Sequence, residues 1–551
     1  MRPSPPPRRR HAAALAAALL VLGLPSRAAA PVFFDDDPIW TEPVSQDASA
    51  VTRYEPDLVY QTLEGLVGAL DVPESPGRAR NINTVDEVPD GPFYVNRAGR
   101  LPLTPARVAQ AANTSDGPAP GPWTVVSAKS DGITPGFTIR DRANTLWFIK
   151  FDPPGWRGMA TGSEVVAAKL FWAVGYHTVE YHIGRLVPSN LVIGPGATVT
   201  PAGEAERVMV PADVDRLLSR ADRDDDGSFR VILSRAAPGR PVGRIRFSGT
   251  RADDPNDIVP HEDRRELRGY RVFAAWLNHV DAKGINSLAA LVTEDGRSFV
   301  RRYLLDFGSA LGSAAIGPRE GWEGSEALVE DPGEIGRRIL SFGFRIPAWR
   351  TEDWYVSPAV GRLPRSHDGW DPGAWQPHIM NAAFNSMRAD DAFWAASKLA
   401  AVSDEMVAAA VAEGRFGEAG AEAVLSRFIR ERRDRILRAY LPAVNPIVDP
   451  ALDAGGLRFA NAAVAAGVAP APGGYHARWS RFDNLTGEAT LIAETGGAGS
   501  PIEAPGFGDA EFVQVEVTAT EAPVAAWERP VTLHFRRDGP GWRLVGLVRV
   551  P

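Results

Sequence analysis

The sequence predicts an α+β protein that contains several domains and ends in an all-β domain. Its 551 residues exceed the roughly 100–200 residues of one typical soluble domain, so several units are expected. Short β-rich runs alternate with one amphipathic helix over residues 122–247, and helical patterns dominate residues 248–445. Many short strands follow over residues 452–551. These three patterns define the predicted organisation.

The first thirty residues have the pattern of an export signal. Arg8, Arg9 and Arg10 precede the short apolar run AAALAAALLVLGL, and the small-residue stretch SRAAA ends at Ala30. The apolar run is shorter than the about 20 residues that a membrane-spanning helix needs. We therefore predict a signal peptide over residues 1–30. The mature protein is expected to be periplasmic or secreted and to have no membrane anchor.

The charge and cysteine content exclude several functions. A net charge of −8 provides no general attraction to nucleic acid or to an anionic membrane surface. The chain has no cysteine, which excludes disulfide frameworks, thiolate metal sites and lipidated cysteines. We therefore predict no nucleic-acid partner and a fold that is stabilised by large apolar cores.

The segments predict the following elements in chain order. Residues 31–121 are rich in Pro, Asp, Gly and Asn, which predicts an irregular segment wrapped around a larger domain, with one helix near Leu58–Leu70. The runs WTVVSA, GFTIRD, TLWFIKF, FRVILS and GRIRF predict strands, and GSEVVAAKLFWAVGY predicts a helix between them. HEDRRELRGYRVFAAWLNHV begins the helical region. RPVTLHFRR and GWRLVGLVRV predict a hairpin in a separate C-terminal β domain.

Three polar stretches receive structural interpretations. The charges of HEDRRELRGYR, residues 261–271, are expected to form a solvent-exposed helix face. Residues 222–227, DRDDDG, begin like a calcium loop, but Leu233 stands where that loop needs an acid, so a turn is predicted. His279 is expected to pack or to hydrogen-bond and thereby order its loop.

Two short motifs carry the chemistry: HVDAKGIN at residues 279–286 and LLDFG at residues 304–308. The Asp-Gly pair between them predicts a hairpin turn that brings Asn286 opposite about Leu305, beside Asp306. Asp281 lies in the same loop as Asn286. We expect these three oxygen ligands to converge with Lys283 between them. Such ligands suit Mg²⁺ that bridges a triphosphate.

HVDAKGIN resembles the catalytic loop of the protein-kinase-like superfamily, H-x-D-x-K-x-x-N, and LLDFG resembles its metal-binding DFG motif. LLDFGSALG is also similar to the corresponding run in phosphoinositide kinases. Taken together, the motifs resemble those of atypical kinases such as the HipA-type and CotH-type kinases. The resemblance implies a two-lobed kinase-like fold that uses Mg-ATP. It implies that Asp281 positions the acceptor hydroxyl, that Lys283 neutralises the transferring phosphoryl group, and that Asn286 and Asp306 bind Mg²⁺.

The resemblance also implies nucleotide-binding residues in an N-lobe over residues 122–247. Lys150 ends the strand TLWFIKF, as the ATP-orienting lysine does, and Glu164 in the next helix resembles its ion-pair partner. An alternative remains for Glu164, because Thr161-Gly-Ser-Glu164 also fits a capping box. Gly132 and Gly136 in SDGITPGF resemble a phosphate-covering hairpin whose backbone N–H groups bind phosphate.

The chain departs from the kinase pattern in lacking a clear activation segment, an APE-like motif and the three-glycine loop. These departures argue against a standard Ser/Thr protein kinase and leave a protein or small-molecule acceptor open. The predicted function is an exported atypical kinase that phosphorylates a hydroxyl. Because ATP is expected to be scarce outside the cytoplasm, a nucleotide-binding pseudokinase is an alternative. The other alternative is an envelope binding or structural protein that acts through its C-terminal β domain.

Overall fold

The protein is a mixed α/β structure. A computed structural model describes residues 30–54, 76–128, 134–201, 205–325, 336–337, 339–342, 344 and 346–550. Three predicted features lie outside these ranges: the signal peptide apart from Ala30, the helix near Leu58–Leu70, and Gly132. Across the described ranges, no helix combines the length and the apolar character that a membrane crossing requires.

The chain forms a short helix, α1 (Pro105–Gln110), and then a seven-stranded sheet whose strands lie between residues 123 and 235. Its strand order is β4-β7-β3-β2-β1-β5-β6, and only the β1–β5 pair is parallel. The bounds are β1 (Trp123–Ala128), β2 (Gly136–Arg140), β3 (Leu146–Phe151), β4 (Tyr181–Leu186), β5 (Leu191–Val199), β6 (Arg207–Val208) and β7 (Phe229–Arg235). Strands β1, β2, β3 and β7 coincide with four of the five predicted runs.

Two helices accompany this sheet, α2 (Met159–Ala173) and α3 (Pro211–Leu218). Helix α2 is buried along its whole length. It contacts β3, β4 and β7 of the sheet, and it also contacts α1 and the later helix formed by Asp404–Ala412. An apolar, alanine-rich sequence suits a helix that is covered all round. Its position fixes the site described below.

The prediction of a fifth strand at GRIRF, residues 243–247, was wrong. Strand β8 (Arg240–Gly243) ends at Gly243, and residues 244–247 leave the sheet. Gly243 has a φ of +142°, and a Cβ there would collide with the Tyr54 carbonyl oxygen. The close approach of the N-terminal segment therefore ends the strand, which is a long-range effect that an alternating pattern cannot indicate.

The predicted hairpin between the two motifs is confirmed. Strands β9 (Ser287–Glu294) and β10 (Arg297–Leu304) pair in register, and β9 also pairs with β8. Asp295 and Gly296 have φ values of 50° and 75°, as a two-residue hairpin turn requires. The Leu305 N–H donates to the Asn286 carbonyl oxygen at 3.0 Å, so the two motifs meet at one end of the hairpin.

The helical region contains α4 (Arg265–Trp276), α5 (Ala382–Asn385), α6 (Ala389–Ala400), α7 (Asp404–Ala412) and α8 (Ala421–Tyr440), with the hairpin β11 (Trp354–Ser357) and β12 (Gly361–Pro364) before α5. Helix α8 buries Leu425, Phe428, Ile429 and Ile436, whose spacing of three and four residues defines one apolar face. The indole of Trp276 donates to the Ile429 carbonyl oxygen at 2.9 Å and joins α4 to α8.

The prediction of a solvent-exposed face at the start of α4 was wrong. Arg264, Arg265 and Arg268 are each at most 1% exposed. The three guanidinium groups pair with carboxylates from three places. These places are the N-terminal segment, the start of α4 together with the turn that precedes it, and α6. These carboxylates belong to Glu42, Asp86, Asp263, Glu266, Asp390 and Asp391. Remote partners thus bury charges that the local pattern assigned to solvent.

The C-terminal strands are β13 (Ile447–Asp453), β14 (Gly456–Asn461), β15 (Gly474–Phe482), β16 (Ala489–Gly497), β17 (Phe512–Thr520), β18 (Val531–Asp538) and β19 (Gly541–Arg549), with the short helix α9 (Ala462–Ala465) after β14. The last five form an antiparallel sheet in the order β16-β15-β17-β18-β19. Buried Trp479, Val515 and Leu533 of this sheet belong to the same apolar core as α4 and α8. The strands therefore pack onto the helical region through a shared core.

Candidate functional site

Lys150 at the end of β3 lies between two carboxylates that come from different parts of the chain. Its Nζ donates to Glu164 at 2.8 Å and 3.1 Å, and to Asp306 at 2.8 Å. Helix α2 begins at Met159 with Gly158 as its N-cap, so Glu164 lies inside the helix. The capping-box alternative for Glu164 was therefore wrong, because its carboxylate reaches β3 instead of its own helix terminus.

The three groups, which we call the Lys150 cluster, differ in exposure. The side chain of Glu164 is 3% exposed and that of Lys150 is 16% exposed, whereas that of Asp306 is 42% exposed. Burial lowers the pKa of Lys150, but the negative charges of Asp306 and Glu164 outweigh it and raise that pKa. Lys150 therefore carries its charge, and Asp306 is the carboxylate of the cluster that solvent and ligands reach.

Asp306 is held in place by the residue that follows it. Its φ of +57° lies in the left-handed region, which Asp tolerates better than most residues. Phe307 is fully buried, stacks on Phe171 of α2 at 5.1 Å between ring centroids, and contacts His279 at 5.6 Å. Phe307 therefore anchors the backbone while the Asp306 carboxylate turns toward Lys150.

Asp281 and Asn286 meet within the loop that joins α4 to β9. The Asn286 Nδ2 donates to the Asp281 carboxylate at 2.7 Å and to the Asp281 carbonyl oxygen at 2.7 Å. The ammonium of Lys283 forms an ion pair with the same carboxylate. The sequence-predicted residues Asp281, Lys283 and Asn286 are thus in direct contact. They connect to the Lys150 cluster through the backbone bond between Leu305 and Asn286.

His279 packs inside this loop, as expected. It is fully buried, with its ring against Phe171, Tyr270 and Phe307. Neither of its ring nitrogens has a hydrogen-bond partner among the described residues. Burial lowers the pKa of His279 to about 4. A neutral ring in an apolar position holds the loop by packing and carries no charge at neutral pH.

Two residues that belong to no sequence motif, His378 and Glu323, extend the site from Asp281. His378 lies with Nδ1 3.5 Å from an Asp281 carboxylate oxygen and with Nε2 2.7 Å from Glu323. Its backbone N–H donates to the Val280 carbonyl oxygen at 2.8 Å, which holds it against the loop. The stretch QPHIM around His378 carries no recognisable motif, so no sequence signal could have linked it to Asp281.

The charges around Asp281 set its protonation state. Burial raises the pKa of Asp281, but hydrogen bonds from His378 and Lys283 and the charge of Lys283 outweigh burial and lower that pKa strongly. Burial lowers the pKa of His378, while its bonds to Asp281 and Glu323 outweigh burial and raise it. Asp281 is therefore a carboxylate at any physiological pH, and it is held by neighbouring donors.

The structure describes only one of the two glycines of the predicted phosphate-covering hairpin. Gly136 is the first residue of β2 and is paired in register with Lys150 on β3. This pairing brings the start of β2 beside the Lys150 cluster. Gly132 lies outside the described residues.

The oxygen donors of the site suit a hard cation. Within the described ranges, no group of three or more His, Asp or Glu residues has a metal-binding arrangement. Mg²⁺ in nucleotide sites needs only one or two protein carboxylates, with phosphates and water completing its octahedron. Asp306 supplies an accessible carboxylate. Asn286 supplies an amide oxygen, and its backbone carbonyl accepts the N–H of Leu305, the residue before Asp306. These donors fit Mg²⁺.

The turn at residues 222–227 does not form such a site. The Asp222 carboxylate accepts the Gly155 N–H at 2.8 Å. Asp224 pairs with Arg157, and Asp226 pairs with Arg185. Because local partners engage these carboxylates, the turn interpretation fits the structure better than a calcium loop does.

Comparison with known proteins gives one structural likeness. No protein-family model matches the chain, and no curated protein matches it significantly. Among solved structures, the chain is similar to a Helicobacter pylori proinflammatory kinase, CtkA, with 13% sequence identity and a TM-score of 0.29. The match covers 57% of this chain and 94% of that chain. At that TM-score the likeness carries no argument about fold or activity.

Proposed function

We propose that the protein is an exported atypical kinase that transfers a phosphoryl group from Mg-ATP to a hydroxyl. The observation that carries this proposal is the double ion pair of Lys150 with Glu164 and Asp306. The bond to Asp306 joins residues 156 positions apart, and it links a strand lysine to the acid of LLDFG. The kinase resemblance implies an ion pair between the strand lysine and the helix acid, and a metal-binding acid at the position of Asp306.

Each residue of the site has a role in this reaction. Lys150 would orient the nucleotide phosphates, and Glu164 would hold Lys150 in place. Asp306 and Asn286 would bind Mg²⁺, which when bound neutralises charge on the phosphate oxygens. The backbone N–H groups near Gly132 and Gly136 would cover the phosphates.

Asp281 would orient the acceptor hydroxyl. Its lowered pKa makes it a weak base, which suits a positioning role better than early proton removal. Phosphoryl transfer proceeds through a loose transition state, in which the attacking oxygen needs alignment more than deprotonation. Lys283, paired with Asp281, would stabilise the charge of the transferring group.

The proposal includes the arrangement and location of the protein. Residues 122–247 would be the N-lobe and residues 248–445 the helical C-lobe, with the nucleotide between them. Residues 31–121 would wrap both lobes, and residues 452–551 would add a C-terminal β part. The signal over residues 1–30 would export the chain to the periplasm or the medium.

Nucleotide binding without transfer is a second candidate function. It is favoured by the ion pairs that already engage Asp306 with Lys150 and Asp281 with Lys283. A nucleotide and its metal would have to reorganise both pairs before transfer. The two functions differ only in turnover, so binding and transfer must be measured separately.

Thermal unfolding of the chain from Pro31 tests the nucleotide site. A ligand at 100 times its Kd stabilises the folded state by about 2.7 kcal/mol. We expect a rise in Tm that requires both Mg²⁺ and ATP, is absent in Asp306→Ala and persists in the surface variant Asp368→Ala. ADP formation on adding acceptors, and its loss in Asp281→Asn, then separates transfer from binding. If no nucleotide changes Tm, the proposal is wrong, and binding of glycan or protein by residues 452–551 becomes the function to test.

A further inference from the structure

A cavity of about 430 Å³ lies directly behind the loop that carries Asp281. Its walls come from residues 52–54, from the segment after β8 at 244–253, from residues 282–285 and from residues 379–382. Its volume falls within the about 300–1,000 Å³ that is typical of small-molecule sites. Residues 282–285 follow Asp281 immediately, so the cavity and the candidate active site share one loop.

The lining of the cavity is strongly cationic. It contains six Arg and Lys residues, one histidine (His261) and one acidic residue, Asp253; the cations are Arg53, Arg244, Arg246, Arg251, Lys283 and Arg302. Carboxylates pair with three of these cations, in the pairs Arg251–Asp253, Arg302–Asp254 and Lys283–Asp281. Arg244 donates to the carbonyl oxygen of Ile285, which is a neutral acceptor. The lining therefore favours an anionic ligand.

Asn381 supplies a second and independent sign of a ligand. It lines the cavity and is 6% exposed. Its side-chain oxygen accepts the Phe384 N–H at 2.9 Å as the N-cap of α5, which fixes the orientation of the amide. Its Nδ2 is buried and has no hydrogen-bond partner among the described residues. A buried donor without a partner is costly, and an acceptor atom of a ligand would satisfy it.

Apolar side chains complete the lining. Ile245, Phe247, Ile285 and Met380 contribute carbon surface between the cationic groups. A bare inorganic anion would leave this surface unused, whereas a small organic molecule would cover it. The lining therefore fits a molecule with a carbon skeleton and at least one negatively charged group.

We propose that this cavity is the acceptor site, and that the acceptor is a small organic molecule with a phosphate or carboxylate group and a free hydroxyl. This inference rests on the proposed kinase function. Lys283 connects the two sites, because it lines the cavity and forms an ion pair with Asp281. A ligand anchored by its charged group against the arginines and Asn381 would present its hydroxyl toward Asp281.

The proposed reaction is a displacement at the γ-phosphorus of ATP. The acceptor oxygen forms a bond to the γ-phosphorus of ATP, and the bond from that phosphorus to the β–γ bridging oxygen breaks. ADP leaves with that electron pair. The hydroxyl proton leaves to solvent by way of the Asp281 carboxylate. The products are ADP and a phosphate ester of the anionic acceptor.

Calorimetric titration of the chain from Pro31, without nucleotide, tests the cavity. The probes are glycerol 3-phosphate, citrate, inorganic phosphate and uncharged glycerol. We expect glycerol 3-phosphate or citrate to bind more tightly than inorganic phosphate, and glycerol not to bind. Which of the two binds distinguishes a phosphate ligand from a carboxylate ligand. Affinity should fall as salt concentration rises.

Two variants locate the binding. Asn381→Asp keeps the N-cap acceptor of α5 but replaces the amide donor by a carboxylate, so it should weaken binding tenfold or more. Arg246→Gln removes one positive charge from the lining and should also weaken binding. Asn461→Asp is the matched control, because Asn461 caps α9 in the same way and lies outside the cavity lining. It should leave binding unchanged.

Several outcomes would overturn the inference. Failure of both organic anions to bind, equal affinity for inorganic phosphate, or unchanged binding by Asn381→Asp would each do so. The experiments distinguish failure of the acceptor-site inference from failure of the proposed kinase function. If the Tm shift with Mg-ATP persists while the probes do not bind, only the acceptor site is wrong. If the probes bind and no nucleotide does, the cavity is an anion site and its role as acceptor site is refuted.

Discussion

Two clusters of paired charges, one at the start of α4 and one around Lys150, differ in their access to solvent. In the α4 charge cluster (Arg264, Arg265, Arg268 and their carboxylates), the arginines are at most 1% exposed and pair with several acids. In the Lys150 cluster, the Asp306 side chain is 42% exposed. The residue types are alike, yet only the second cluster presents a charged oxygen to a ligand. Access, not residue type, separates a structural cluster from a candidate site.

The largest expected effect is on phosphoryl transfer. Asp281→Asn preserves size, but it replaces one acceptor oxygen by an NH2 donor and removes the negative charge that would orient the acceptor hydroxyl. We expect transfer, measured as acceptor-dependent ADP formation, to fall by on the order of 10²–10⁴-fold. Asp295→Asn in the exposed hairpin turn is the control and should retain full activity. Equal rates in the two variants would remove Asp281 from the mechanism.

Substitution in the α4 charge cluster should lower the stability of the protein instead of its activity. Arg265→Met leaves the carboxylates of Asp86, Asp390 and Asp391 without their shared cation. We expect the free energy of unfolding to fall by about 3–5 kcal/mol in urea titrations. Arg435→Met, which breaks a surface ion pair with the 97% exposed Asp368, should cost at most about 1 kcal/mol. A similar loss in both variants would contradict the structural role assigned to the buried cluster.

His378 should make stability depend on pH. Its pKa is raised by Asp281 and Glu323, so the protonated form is stabilised in the folded state. The stabilisation is fully present below the ordinary histidine pKa of about 6.5 and is lost as pH rises through the raised value. We expect the free energy of unfolding to fall by on the order of 1 kcal/mol over that range. His378→Gln should abolish this fall, and an unchanged pH profile would argue against the ion pairs.

The smallest effect concerns the turn at residues 222–227. Because Arg157 and Arg185 pair with two of its carboxylates, Ca²⁺ would have to displace both arginines. We expect Ca²⁺ alone to leave Tm unchanged in thermal unfolding. A Ca²⁺-dependent rise in Tm that disappears in Asp224→Asn would show that the turn binds metal after all.

The features that sequence reasoning predicted well are local. The Asp-Gly turn predicted the β9–β10 hairpin and the meeting of Asn286 with Leu305, because two-residue turns impose their own register. Strand runs such as TLWFIKF and the helix of α8 also follow from periodicity, which depends only on neighbouring residues. The sequence pattern also identifies Lys150, Glu164 and Asp306 as site residues, but it leaves two interpretations of Glu164 open.

The sequence by itself therefore determined where the two polar motifs and many, but not all, of the strands and helices lie along the chain. Only the tertiary structure decided which charges are buried and which are accessible. The burial of Arg265, the contact of His378 with Asp281 and the position of Asn381 in a cavity wall each depend on segments that are distant in the chain. A side chain's solvation and its partners are properties of the packed chain, so no local pattern can encode them.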